Sequence, residues 1–132
     1  MPDHHPLIDL ELAALSRWCN GDPDGFLAIC ADDVSYFDPF ISRRIDGLAA
    51  LSRYYASLRG KIFAKRHEMR APLVQAGGEL ATLSFQFVSW GDNGGEMHWN
   101  CSETYRLDPP GWRIIHTHWS LTASNGDAAP TP

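Results

Sequence analysis

Trp112-Arg113-Ile114-Ile115-His116-Thr117-His118-Trp119-Ser120-Leu121 is the last strongly patterned stretch of the chain. The run is rich in β-branched and aromatic residues and follows Asp108-Pro109-Pro110-Gly111, a turn sequence; it reads as a strand. Successive side chains of a strand face opposite ways. Strict alternation puts Ile114, His116, His118 and Ser120 on one face, and Arg113, Ile115, Thr117, Trp119 and Leu121 on the other. A strand this apolar is at least half buried. Two imidazoles and a hydroxyl on one face then require partners, or a cavity holding water or ligand.

Working outward, residues 67–76, 80–90 and 96–107 read as three more long strands. Gly77-Gly78 and Gly91-Asp92-Asn93-Gly94-Gly95 separate them. Such short connections make consecutive strands antiparallel neighbours. The first half is helical. Ile8, Leu12, Leu15 and Cys19 form a stripe over 7–19, ended by Asn20-Gly21. Asp22-Pro23 starts a short second helix that stops near Asp32-Asp33, with Phe26, Ile29 and Cys30 as its buried face. Val34 to Asp38 is a brief strand ended by Pro39, and Asp46-Gly47 opens a third helix through Leu58. The expected fold is α+β, with about three N-terminal helices packed on a curved, mainly antiparallel sheet and a cavity at its wide end. One domain over 7–122 is expected, with loose tails at 1–6 and 123–132.

Lys and Arg number 11 against 16 Asp and Glu, a net charge of −5, which argues against a nucleic-acid surface. Cys19, Cys30 and Cys101 show no CxxC spacing, so neither a disulfide framework nor a zinc site is indicated. There is no signal-peptide pattern and no long apolar span, so a cytoplasmic protein with no membrane partner is expected.

Two acids fit the cavity geometry. Asp38 ends a hydrophobic strand directly before Pro39. Glu103 shares a face with Met97, Trp99, Cys101 and Tyr105, on the strand that pairs with His116 and His118. Asp38, Glu103, His116 and His118 are therefore the candidate catalytic groups, able to move protons near neutral pH. Trp18, Tyr36, Phe40, Tyr55, Phe87, Trp99, Cys101 and Ser120 are the candidate walls. The structural alternatives are a satisfied histidine pair in the core, a cap or turn role for Asp38, and an ion pair of Glu103 with Arg106, Arg113 or a helix residue. His67 and His98 are expected on outer faces. No metal or other cofactor is expected. There is neither a GxSxG elbow nor a phosphate-binding glycine loop.

Asn20-Gly21-Asp22, Phe26, Ala31-Asp32-Asp33-Val34, Asp38-Pro39, Asp46-Gly47 and Tyr54-Tyr55 resemble the ketosteroid isomerase and SnoaL-like branch of the nuclear transport factor 2-like superfamily. Ser102-Glu103-Thr104, Gly111-Trp112 and His116 to Ser120 resemble the association domain of calcium/calmodulin-dependent kinase. The resemblance implies a cone-shaped, cystatin-like fold with a mixed sheet, commonly a homodimer through that sheet. It implies Asp38 as a general base and Glu103 as an acid donating to a developing oxyanion. Ala14 stands where such isomerases carry a tyrosine, and Tyr105 where the association domain carries an arginine. Three functions stay open: a cofactor-independent isomerase, dehydratase or cyclase acting on a small carbonyl or hydroxy compound; a small-ligand binder without chemistry; and an assembly module.

Overall fold

The computed structural model describes residues 5–123. Helix α1 spans Pro6–Trp18, and its start is chemically marked: the His5 ring accepts from the Leu7 amide at 3.2 Å, and Pro6 takes a first-turn position where no N–H is missed. Pro6 thus belongs to α1 and His5 caps it, so the tail expected over 1–6 is corrected at these two positions; residues 1–4 and 124–132 of the expected tails lie outside the described residues. Helix α2 is a single turn, Asp24–Leu27. It stops earlier than its sequence suggests because Cys30 already enters strand β1, Cys30–Phe37. Strand β2 is Ile45–Asp46, helix α3 is Leu48–Ala56, and Gly47 between them has φ 91°, a conformation that favours glycine. Strands β3 to β6 span Arg66–Gly77, Leu80–Trp90, Glu96–Asp108 and Gly111–Leu121.

The six strands form one open mixed sheet in the order β2-β1-β6-β5-β4-β3. The four long strands make an antiparallel meander, while β1 lies parallel to β6. That parallel pairing joins residues some eighty positions apart, which explains why no local pattern revealed the early start of β1. The helices cover the inner face, where Leu83, Phe85, Phe87, Cys101, Tyr105 and Ile114 pack against Leu7, Leu15 and Leu51.

A bulge in β6 decides which side chains reach that face. Ile114 pairs with Tyr105, but the next pair is His116 with Thr104. Ile115 is the additional residue, so two residues of β6 oppose one step of β5. Alternation reverses there: Ile114 and Thr117 are buried inward, and Trp119 pairs with inward Cys101. His116, His118 and Ser120 go to the outer face, opposite Thr104, Ser102 and Asn100. Unbroken alternation along the strand is therefore corrected.

A second bulge lies in edge strand β3 between Arg70 and Leu73, where Ala71 has φ 52° and Pro72 offers no N–H. Deleting Ile115 should close the bulge and restore regular alternation with Ile114, Thr117 and Trp119 still on the inner face and His116 and His118 outside. The expected loss is therefore modest, about 0.5–3 kcal/mol from local adjustment of the strand, whereas Thr117→Val, which strips the buried Glu103 of a donor, should cost about 1–3 kcal/mol; chemical unfolding followed by circular dichroism measures both.

Candidate functional site

A cavity of about 760 Å³ opens at the end of the sheet where β4 finishes and β5 begins. Its walls come from the C-terminal end of α1 (Trp18, Cys19), from Phe26, from the end of β1 and from α3. Phe87, Trp99 and Trp119 close the sheet side. Ten lining residues are aromatic, and many touch edge to face: Trp18 and Tyr55 have ring centroids 4.9 Å apart, Trp99 and Trp119 6.0 Å.

Asp38 stands in this wall. Its Oδ2 accepts from the Tyr36 hydroxyl at 2.8 Å and the Tyr54 hydroxyl at 2.6 Å, and its Oδ1 accepts from the Phe40 amide at 2.7 Å. The amide bond is the turn chemistry that Asp-Pro invites. The two phenols are a tertiary feature. Burial first, and then the Asp38 carboxylate, hold the Tyr54 hydroxyl above the usual phenol range; Tyr36 is raised too, with burial the main cause. Burial also pushes the Cys19 thiol up to about 11, so it is no thiolate nucleophile near neutral pH.

Of the residues singled out in the sequence, Trp18, Tyr36, Asp38, Phe40, Tyr55, Phe87 and Trp99 line the cavity. His116, His118, Glu103, Cys101 and Ser120 do not. His116 bonds the Ser35 hydroxyl at 2.7 Å, and both imidazoles pack on Phe37 across the outer face. Burial, and then the neighbouring His118, lower the His116 pKa. Ser120 accepts from Asn100, which in turn accepts from Gln86, in an outer-face polar ladder. His67, expected outside, instead sits opposite the cavity-lining Ser89 and packs on Phe87.

Glu103 and Cys101 do point inward, but they lie deeper along β5, sealed from the cavity. Glu103 is 1% exposed and accepts from Thr117 at 2.6 Å. Facing it is Glu11 of α1, 0% exposed, whose Oε1 accepts from Tyr105 at 2.7 Å while its Oε2 has no partner. Candidate ligand atoms of Glu11, Cys101 and Glu103 lie within 4.8 Å of one another, the one such group among the described residues. A single proton shared by the carboxyls answers the orphan oxygen without further charge. Burial, then the Glu103 charge, raise Glu11 well above the ordinary carboxyl range; burial raises Glu103, while bonds from Glu11 and Thr117 oppose the shift. The pair as a whole therefore holds a proton above the ordinary carboxyl range. Its signal in the sequence was a carboxylate set four residues from both Leu7 and Leu15, inside the apolar stripe.

The SnoaL-like domain family matches residues 12–124. This chain belongs to the SnoaL-like family. Among solved structures, one described as a "putative ketosteroid isomerase" from Parabacteroides distasonis is 37% identical, with TM-score 0.80 over 88% of this chain and 85% of its own. A nuclear transport factor 2-like protein of unknown function from Pseudomonas putida is 22% identical, with TM-score 0.78 over 87% and 83%. The association domain of the calcium/calmodulin-dependent kinase of Caenorhabditis elegans is 18% identical, with TM-score 0.73 over 88% and 93%; these last two likenesses speak to the fold alone. No curated protein matches the chain. No helix among the described residues is long and apolar enough to cross a membrane.

In this SnoaL-like chain the functional residue that sequence reading passed over is Tyr54, neighbour of the chosen Tyr55; helical spacing alone does not tell which of two adjacent tyrosines turns to Asp38. The buried pair yields a pH prediction. Unfolded, both carboxyls titrate near 4.5; folded, the pair holds a proton to higher pH. The pair's contribution is therefore complete below the unfolded value and is lost as pH rises through the raised one. Glu11→Gln supplies a permanent N–H donor to Glu103. It should flatten the decline in stability above pH 4.5 and stabilise the fold at alkaline pH by about 1–3 kcal/mol. Urea unfolding across a pH series measures both, and an unchanged slope would place the titration elsewhere.

Proposed function

We propose that this protein takes a small, partly apolar compound into the aromatic cavity and acts on it as a cofactor-independent proton-transfer enzyme of isomerase, dehydratase or cyclase type. The substrate is a small carbonyl or hydroxy compound, and Asp38 is the proton acceptor. The observation that carries this reading is a carboxylate set in an aromatic wall between two phenols. A carbonyl oxygen approaching this corner draws the Tyr54 hydroxyl off Asp38 Oδ2. That exchange frees a carboxylate lone pair for the proton beside the carbonyl and gives the developing oxyanion a donor. The outer-face His116 and His118 take no part, and Glu103 acts only within the core. The 37% identity to the Parabacteroides distasonis protein supports the reading.

A second reading, a binder without chemistry, is favoured by the same carboxylate. Asp38 already accepts three hydrogen bonds, and the donors on Oδ2 must move before that oxygen can take a proton. Self-association through the outer face of the sheet, as a homodimer, belongs to the proposal as well. Sedimentation that finds only a monomer would remove that part.

Deuterium uptake beside the carbonyl of cyclic enone probes such as 3-cyclohexenone, followed by proton NMR, tests the enzyme. Asp38→Asn should slow uptake by about 10²–10⁴-fold with an unchanged circular dichroism spectrum, while His116→Ala and His118→Ala stay within about twofold of the parent. Probes that quench the cavity tryptophans yet exchange no faster than in buffer would leave the binder.

A further inference from the structure

We infer that the cavity selects ligands bearing a protonated amine or another hydrogen-bond-donating cationic group, seated against Asp38 and the tyrosine rings around it. The inference rests on the cavity being the ligand site, and it does not require chemistry there.

The argument begins with who donates to whom. Both phenols nearest Asp38 have their protons on its Oδ2, at 2.8 and 2.6 Å, and the Phe40 amide has its own on Oδ1 at 2.7 Å. The Tyr55 hydroxyl meets that of Tyr36. The hydroxyl protons of this corner are thus turned toward the protein. What the corner offers a ligand is acceptors: the remaining lone pair on Asp38 Oδ1, since a carboxylate has about four such sites, and the phenolic oxygens. A ligand carbonyl or carboxylate must break a phenol–carboxylate bond to be received. An N–H or O–H donor breaks none.

Charge sharpens the choice from donor to cation. The rings of Tyr36, Tyr54 and Tyr55 form a connected wall, with centroids 5.8, 5.6 and 6.0 Å apart, and Trp18 continues it. Aromatic faces carry negative potential and attract ammonium groups. Asp38 and Glu96 are the lining acids and Lys61 is the lining base. Lys61 is exposed and sits outside the ion pairs found among the described residues, so its charge is spent in water rather than in the aromatic corner. The chain's net charge of −5 draws cations toward the mouth.

The test uses three probes on one skeleton: 3-phenylpropylamine, 3-phenylpropanol and 3-phenylpropanoate. Quenching of the fluorescence of Trp18, Trp99 and Trp119 reports their binding. The amine should bind about tenfold or more tightly than the alcohol, and the propanoate most weakly. Asp38→Asn should remove most of the amine's advantage and change the alcohol by less than about threefold. Should that variant fold poorly, Tyr54→Phe is the alternative; it leaves the carboxylate in place with one fewer internal donor, and should keep or increase the preference for the amine. Lys61→Ala should leave the amine-to-alcohol ratio within about twofold. A propanoate that binds as tightly as the amine overturns the inference while the ligand-site reading stands. Amine selectivity that survives Asp38→Asn overturns it too, because net charge would then be its source. Failure of all three probes at millimolar concentration would sink both.

Discussion

One additional residue in one strand governs which polar groups of β6 meet the core and which meet the outer face. Ile115 has no partner across the ladder, so β6 changes face between Ile114 and His116. Had alternation continued, two imidazoles would have been driven into the core, with Thr117 and Trp119 expelled from it. Instead Thr117 satisfies the buried Glu103, and Trp119 closes the sheet side of the cavity. The imidazoles gain solvent and a serine partner on the outer face. A buried carboxylate without a donor costs several times what a surface histidine can return, so the bulged register prevails.

Three polar environments result where unbroken alternation of β6 would merge them. The sealed one holds Glu11 and Glu103, where dehydration keeps a proton that water would remove. The cavity holds Asp38, whose carboxylate is shared among two phenols and an amide. The outer face carries His116 and His118 beside Phe37, together with the ladder of Gln86, Asn100 and Ser120. Each environment sets its own chemistry. Only the second combines ionisable groups with space for a ligand, which is why function is sought there and the carboxyl pair is read as part of the core.

A SnoaL-like fold does not name a reaction, since folds of this kind serve unrelated purposes and function resides in the site built on them. Here that site is unusually aromatic, and its central acid is unusually well supplied with donors. The two features pull in different directions. An aromatic hollow shields a reacting carbonyl from water, whereas a carboxylate already holding three protein donors must release one before a ligand can reach the oxygen it occupies. Both bear on the proposed recognition: a corner rich in acceptors and poor in free donors favours a cationic donor over an anion.

The sequence alone determined the four long strands, their turns and the helices before them, because glycine-rich hairpins and alternating apolar residues are local signals that need no distant partner. It also determined Asp38 and most of the aromatic wall, since an acid before proline at a strand end and large rings at strand tips have few other places to go. Tertiary structure decided the rest. The bulge at Ile115 depends on which register leaves Glu103 satisfied, and that is settled only when β5, β6 and α1 meet. The early start of β1 depends on a parallel partner some eighty residues away. The pairing of Glu11 with Glu103, and the turn of Tyr54 rather than Tyr55 toward Asp38, depend on how helices dock on the sheet. Periodicity assigns a side chain to a face of its own element; the free energy of burying charges and hydrogen bonds together chooses what that face meets.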